Sequence, residues 1–416
     1  MMPAEKRPPL SSGFTRVAWS SVLTQMAEQI ALVAAPLAAV LVLGAGATET
    51  ALLQLAQTLP FLLLSIPFGL IVDRSSPKRV LVGCEALRAA TLACTVALIL
   101  LDSLSFEALL ALGFVGAIGT VGVSVAIPSS VPQLVARERL MDANQWLELG
   151  RSIAFICGPV IAGAIVSLAG AETAFVVATV ACAAAAVLLL RVGIPRVPSP
   201  RTKAWTDVAR SVRFVLSHEL LRPMIVTSMV FNVGWFLIQS VFVVYAIDRL
   251  GMTPSTVGTA MGVYGAGMVI GAFASRQVSR RMTLGSMSVL GPAGGFLAAG
   301  LMAGTLWMPF PALAFVAFFL FGLGPVLWSI STTSLRQVVT PVPMIGRVSS
   351  LLVVSTYGAR PIGAGLGAVI AAGAGMEWCI ALAAVVFAAQ LVVVLTSALP
   401  AVRELPASVP EAADAA

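Results

Sequence analysis

Charged residues are scarce in this sequence: Asp, Glu, Lys and Arg make up 10% of its 416 residues, whereas 59% of the residues are hydrophobic. A soluble globular protein carries about a quarter charged residues. The chain has too few of them to cover a folded core with a surface that faces water. The deficit excludes a soluble protein and predicts an integral membrane protein that lies almost wholly in or beside the bilayer.

Histidine occurs only once, as His218, and the five cysteines show no C-x-x-C spacing. Metal sites and disulfide frameworks need clustered ligands or paired cysteines, so we predict no metal, no cofactor and no disulfide framework. The Walker motif G-x-x-x-x-G-K-[ST] is also absent, which argues against direct use of ATP. A membrane-embedded enzyme would need a polar cluster at one membrane face, and a single histidine argues against that class.

Long apolar runs, by contrast, fill the chain. A helix that crosses a bilayer needs about 20 apolar residues. Breaks that carry charges, Pro or Gly separate twelve such runs, which predicts an all-α membrane protein. The runs cover residues 17–43, 50–72, 80–101, 106–127, 146–169, 172–193, 223–247, 253–275, 284–306, 310–331, 348–372 and 377–399.

Lys and Arg are distributed unevenly between the two sets of connections. With the N-terminus in the cytoplasm, the cytoplasmic segments hold 21 of the 25 basic residues and the other side holds only Arg249. Cytoplasmic loops of membrane proteins carry such an excess. We therefore expect both termini in the cytoplasm and a location in the inner (plasma) membrane. The same distribution explains the net charge of +7 without a nucleic-acid partner.

The longest connection divides the runs six and six. It is Pro-rich and basic at its start and continues with apolar residues at helical spacing, which predicts an amphipathic helix on the inner membrane surface. Five segments follow from these boundaries. They are a cytoplasmic N-terminal segment (1–16), a six-helix bundle (17–193), a linker (194–222), a second six-helix bundle (223–399) and a disordered cytoplasmic tail (400–416).

The second half of the chain repeats the first. Residues 69–79 align with residues 271–281, and residues 158–166 align with residues 360–368, both at an offset of 202. Six crossings return the chain to the same side, so the halves have the same orientation. Parallel halves related by an axis along the membrane normal are one architecture of secondary transporters.

A short loop after the second run also points to a secondary transporter. Its residues resemble the signature G-x-x-x-D-R-x-G-R-K of the major facilitator superfamily, with departures at Ser76 and Pro77. The matching residues are Gly69, Asp73, Arg74, Lys78 and Arg79. The resemblance implies the fold of that superfamily and a conformational latch, in which the loop touches the eleventh helix when the cytoplasmic side is closed. Alternatively, the basic residues only anchor the loop to anionic lipid.

The fifth run resembles a second signature of the superfamily, the antiporter motif found mainly in exporters. Gly158, Pro159 and Gly163 are the residues that match it. This implies export, although small residues also pack helices closely without any directional role. The fourth run lacks the arginine that many proton-coupled exporters of the superfamily carry. Among subfamilies, the chain most resembles the twelve-span exporters of drugs, macrolides and siderophores.

Glu28 is the most informative residue inside the membrane. It lies about eleven residues into the first run, roughly 16 Å deep at 1.5 Å per residue. A charge there costs at least about 2.5 kcal/mol, so the carboxyl must face water, pair with a cation or take up a proton. We predict that it is the proton-coupling site, a substrate site or both, with Gln25 and Gln29 adding polar contacts. The alternative is a structural hydrogen bond to a neighbouring helix.

The other embedded charged residues fall into two classes. Glu85 with Arg88, and Glu148 with Arg151, are spaced i, i+3, which favours ion pairs on one helix face. Arg360 has no acid nearby on its own run and needs a counter-charge or an anionic substrate.

Two uncharged polar residues lie on one face of the seventh run. Asn232 and Gln239 are seven positions apart and could line a cavity or form hydrogen bonds between helices.

Together these features predict a secondary transporter that exports amphipathic, drug-like molecules by alternating access, as a proton antiporter. The expected partners are a small-molecule substrate, protons and membrane lipid, and we expect a monomer. Two alternatives stay open: a dedicated exporter of one metabolite such as a siderophore, and a sensor that binds ligand without transporting it.

Overall fold

The computed structural model describes residues 11–136, 139–194, 212–340 and 345–403. Within them the chain forms twelve long helices and no strand, as the sequence predicts. Their bounds are α1 Ser12–Leu43, α2 Ala47–Arg74, α3 Pro77–Leu100, α4 Phe106–Leu134, α5 and α6 together Leu140–Leu190, α7 Leu221–Asp248, α8 Pro254–Ser279, α9 Leu284–Gly304, α10 Pro311–Val339, α11 Ile345–Gly373 and α12 Met376–Leu395. Each predicted run falls on one helix.

Local sequence signals set the helix ends. Gly170 separates α5 from α6 with a φ of 84°, a conformation that an L side chain rarely adopts. Gly44 ends α1 in the same left-handed region. Ser105 and Thr253 cap α4 and α8, because each hydroxyl accepts a hydrogen bond from a backbone N–H in the first turn.

The outer surface of the bundle suits a lipid environment. Nine stretches of the described residues are long and apolar enough by themselves to cross a membrane, and one of these, Asp142–Leu190, contains both α5 and α6. Large apolar side chains such as Leu168, Phe273 and Val369 are exposed, which water would disfavour and lipid does not. Trp307 and Trp378 are exposed near helix ends, where membrane proteins place interfacial aromatic residues.

The bundle has two ends that differ in charge. We call the end that carries Lys78, Arg79, Arg280 and Arg281 the basic end, and the other the opposite end. Arg249, the single basic residue predicted for the outer side, lies at the opposite end and forms a salt bridge of 3.1 Å with Glu377.

The largest contacts between the two halves are those of α2 with α11 and of α5 with α8, and α2 also touches α7. Because α8 repeats α2 and α11 repeats α5, the two contacts are related by the internal repeat.

Parts of the predicted linker and tail lie outside the described residues, namely 195–211 and 404–416. Residues 212–217 are helical, and Val215 is buried against the second half. The proposed segment boundaries stay a prediction.

Candidate functional site

A central cavity of about 530 Å³ lies between the two halves. Its lining comes from α5 and from the helices of the second half, and it occupies the part of the bundle between its middle and the basic end. The polar and charged residues that line it include Glu148, Arg151, Asn232, Arg336, Arg360 and Gln390. Of the residues predicted from the sequence, the cavity therefore brings together Glu148, Arg151, Asn232 and Arg360.

The halves are in close contact between the middle and the opposite end. There Gly163 of α5 faces Gly258 of α8, and a side chain added at either glycine would collide with the backbone of the other helix. Pro159 lies in the same contact, since its carbonyl oxygen is the atom nearest to a side chain added at Gly258. Two of the three residues of the predicted packing motif, Pro159 and Gly163, thus lie where the halves are in close contact, whereas Gly158 faces Gln29 of α1.

Arg360 is held by aromatic rings rather than by an acid. Its guanidinium carbon lies 4.0 Å from the ring centre of Tyr357, 5.3 Å from that of Phe236 and 5.9 Å from that of Phe61. The Phe61 and Tyr357 rings stack across the α2–α11 contact at 5.2 Å. Within the described part of the chain Arg360 forms no salt bridge, and its Nε atom is buried without a hydrogen bond. Cation–π contacts stabilise a guanidinium but leave its N–H groups free to bind an anion.

The central cavity carries a surplus of positive charge. Arg151 is neutralised by Glu148, with contacts of 2.6 Å and 3.0 Å between the guanidinium and the carboxylate. Arg336 lines the cavity nearer the basic end, and its Nε atom also lacks a hydrogen-bond partner. Among the described residues neither Arg336 nor Arg360 forms a salt bridge, so the charge of the cavity favours an anionic group.

Glu28 does not line the central cavity. It lies on a smaller cavity of about 100 Å³ inside the first half, which we call the N-half cavity. Its polar lining consists of Glu28, Gln57, Arg88, Thr91, Thr95 and Thr120. The Glu28 carboxyl forms no hydrogen bond or salt bridge with any residue that the structure describes. It is therefore free to interact with water or a proton.

The pair Glu85–Arg88 joins α1 to α3 next to the N-half cavity. Arg88 donates one hydrogen bond to Glu85 at 3.1 Å and another to the carbonyl oxygen of Thr24 at 3.2 Å. The Thr24 hydroxyl donates to the same Glu85 oxygen at 2.7 Å. Glu85 is fully buried, and its second carboxylate oxygen has no partner. Both predicted i, i+3 pairs are thus present, one buried and the other, Glu148–Arg151, exposed in the central cavity.

Three other predicted polar residues line neither cavity. Gln29 is buried, and its Cβ atom fills the space that Gly158 leaves on α5, so it serves helix packing. Gln25 and Gln239 are partly exposed, and the Gln239 side-chain oxygen is buried without a partner.

The residues of the predicted latch lie at the basic end of the first half. Lys78 donates a hydrogen bond of 2.6 Å to the carbonyl oxygen of Leu190 at the end of α6. The helix dipole stabilises a cation at this position. Arg79 is exposed, and a side chain at Gly69 would meet open space. The side chains of Asp73 and Arg74 lie outside the described part of the structure.

Reading the sequence alone missed Arg336 and the aromatic rings around Arg360. In the sequence, Arg336 counts only as one of the basic residues that orient the chain in the membrane, because it lies near a helix end. Phe61, Phe236 and Tyr357 come from three helices, so no local pattern brings them together.

Comparisons with known proteins agree with this fold. The model of the Major Facilitator Superfamily matches residues 17–357. The enterobactin exporter EntS of Escherichia coli O127:H6 is 26% identical over 257 residues, which are 61% of this chain and 59% of that protein. The match thus spans about three fifths of the length of this curated relative.

Among solved structures, the chain resembles a bacterial homologue of the iron transporter ferroportin. The TM-score is 0.74 for its inward-facing state, at 18% identity over 93% of this chain and 99% of the other. For its outward-facing state the TM-score is 0.62, at 18% identity over 92% and 99% of the two chains.

Proposed function

Because the chain belongs to the Major Facilitator Superfamily, we propose that it exports an amphipathic organic molecule across the inner membrane by alternating access, driven by inward proton flow. The central cavity between the halves carries this proposal. It is closed toward the opposite end by the Gly163–Gly258 contact and extends toward the basic end. With the basic end and both termini in the cytoplasm, this is the state that loads substrate from inside the cell.

The substrate class follows from the charges in the central cavity. In the described lining a drug-like cation would meet the guanidinium groups of Arg336 and Arg360, which form no salt bridge there, and the Glu148 carboxylate, which is already paired with Arg151. An organic anion with an aromatic part would instead find two cations and the rings beside Arg360. The second candidate, a dedicated exporter of an anionic metabolite such as a siderophore, is favoured by this observation and by the similarity to an enterobactin exporter.

Glu28 is the proposed proton-coupling carboxyl. It lies near mid-depth, has no bonded partner among the described residues and borders a cavity with polar groups in its lining, so protonation changes its charge without breaking a bond. Each chain contains both cavities, so a monomer is sufficient for transport, with lipid contacts at the basic end supplied by exposed residues such as Arg79.

Transport in proteoliposomes tests the proposal. Purified protein is reconstituted in one orientation, and uptake of enterobactin and of the cationic dye ethidium is followed with and without a pH gradient. The proposal expects gradient-driven transport in the export direction and its loss in Glu28→Gln. Full gradient-driven transport by Glu28→Gln would remove Glu28 from the mechanism, and binding without transport would indicate a sensor.

Arg360 variants separate the two substrate classes. Arg360→Gln removes the charge, and Arg360→Lys keeps the charge but loses the contact between the guanidinium group and the Tyr357 ring. If the substrate is an anion, enterobactin binding weakens in both variants and more in Arg360→Gln, while ethidium binding does not weaken. Unchanged enterobactin binding in both variants would refute the anionic substrate.

A further inference from the structure

The N-half cavity extends from the middle of the membrane almost to the opposite end of the bundle. At its inner limit it is bordered by Glu28 and Arg88. At its outer limit it is bordered by Leu109, three residues after the start of α4 and hence about 5 Å along the axis from the helix end. Leu109 and Phe175, each 2% exposed, are apolar lining residues near the ends of α4 and α6 that lie toward the opposite face.

The cavity exists because α4 presents small residues to the interior of the first half. Gly113 and Gly116 line it together with Ala117. The repeat partner α10 has the same length as α4, and counted from the first residue of each helix Gly113 and Gly116 correspond to Phe318 and Phe321, whose rings are fully buried in the second half. The empty space is therefore a property of the first half and not of the repeated fold.

The lining can hold water. The side-chain oxygen of Gln57 is buried without a partner. The hydroxyls of Thr91, Thr95 and Thr120 each donate to a backbone carbonyl of their own helix, which leaves their oxygens able to accept hydrogen bonds. A volume of about 100 Å³ has room for several waters, and these polar groups of the mixed lining can bind them.

We propose that the N-half cavity is the path by which protons reach Glu28 from the opposite face, inside one half and separate from the substrate path between the halves. A hydronium ion in the cavity gives its proton to the Glu28 carboxylate and leaves as water. The inference rests on the proposed function, which makes Glu28 the coupling carboxyl.

The charged and titratable groups that act on Glu28 come from several helices. They are Arg88 and Glu85 on α3, Arg151 on α5, Cys182 on α6 and Arg360 on α11. Arg88 is the member of this set that also lines the N-half cavity, and its bonds go to Glu85 and Thr24. Glu28 therefore borders the path as an unbonded carboxyl, and protonation does not have to break an ion pair.

A filling substitution tests the path. In Gly113→Val the new Cβ meets Gln57 and Leu53 at 3.4–3.6 Å, ordinary contact distances, and the methyl groups occupy the cavity. Gly83→Val is the matched control, because Gly83 is also inside a helix, has open space around it and does not line the cavity. If Gly113→Val does not fold, Thr95→Val replaces it, since this change keeps the shape and removes one hydroxyl.

Hydrogen–deuterium exchange of the Glu28 carboxyl is measured by infrared spectroscopy in proteoliposomes, with the band assigned by its loss in Glu28→Gln. We expect exchange to slow by about tenfold or more in Gly113→Val and to stay unchanged in Gly83→Val. Exchange of enterobactin across the membrane without a pH gradient should persist in Gly113→Val, while gradient-driven transport is lost.

Two results would be decisive against one idea or the other. Equal carboxyl exchange in Gly113→Val and the wild type would overturn the path. Slowed exchange in a protein that transports neither enterobactin nor ethidium would refute the proposed function and leave the path standing.

Discussion

The two halves are repeats of one fold, yet the interior of the first contains a cavity with polar groups in its lining, while that of the second is filled with aromatic rings. In the second half Trp235 lies 5.1 Å from Phe321, and Phe242 lies 4.4 Å from Phe318, measured between ring centres. In the first half the N-half cavity is lined by polar residues such as Glu28, Gln57 and Arg88, by threonines and small residues, and by larger apolar side chains. The same backbone arrangement can therefore enclose a cavity in one half and packed aromatic rings in the other, because each helix contact depends only on the side chains at that contact.

The halves also divide the charges differently. The first half holds a buried ion pair, Glu85–Arg88, beside the free acid Glu28. The second half contributes Arg336 and Arg360 without acids bonded to them. A proton and an anionic substrate would therefore be bound in different places, and coupling between them would depend on the movement of one half relative to the other.

The filled half should be the more sensitive to loss of volume. Phe318 is fully buried, and Phe318→Ala is expected to lower the free energy of unfolding by about 3–5 kcal/mol, because the lost contacts leave a cavity. Denaturant titration in detergent micelles measures this. The control Phe296→Ala, at a residue that is 43% exposed, should stay within about 0.5 kcal/mol of the wild type. Equal losses in both variants would contradict the packed interior.

A double-mutant cycle can measure how strongly the charges beside the N-half cavity are coupled. Glu85→Gln and Glu28→Gln each leave Arg88 near one acid, whereas the double variant leaves it near none. The free energy of unfolding should therefore fall further in the double variant than the two single-variant changes add up to, by about 0.5–3 kcal/mol. The same unfolding titration gives the three values. Strict additivity would mean that Glu28 and Glu85 do not share Arg88.

The smallest effect concerns the junction between the halves. Burial lowers the pKa of His218 below its ordinary value of 6.5, an effect that the nearby Glu219 partly opposes. The folded protein takes up this proton at lower pH than the unfolded chain does. Stability from this group is thus full above about pH 6.5, falls as the pH drops through 6.5 and levels off below the folded-state pKa.

Unfolding titrations between pH 5 and 8 should show a shallower pH slope in His218→Gln than in the wild type. An identical slope would exclude His218 as a contributor.

The membrane fold could be predicted almost completely. Twelve apolar runs separated by charges allow little besides twelve crossing helices, because a backbone in lipid must satisfy its hydrogen bonds within each segment. The two i, i+3 pairs were also predictable, since partners on one helix face are fixed by helix geometry. The positions of Gln29 and Arg360 were not, because a side chain near mid-membrane can point to a neighbouring helix, to a cavity or to lipid.

The sequence by itself determined that this chain crosses the membrane, that it does so as two parallel repeats, and that Glu28 needs water, a cation or a proton. These follow from the cost of burying charge and unpaired backbone in hydrocarbon. Only the tertiary structure decided that Glu28 borders a cavity within one half, while Arg360 faces the space between the halves on three aromatic rings. Such surroundings are made by helices distant in sequence, and packing between them decides which side chains meet.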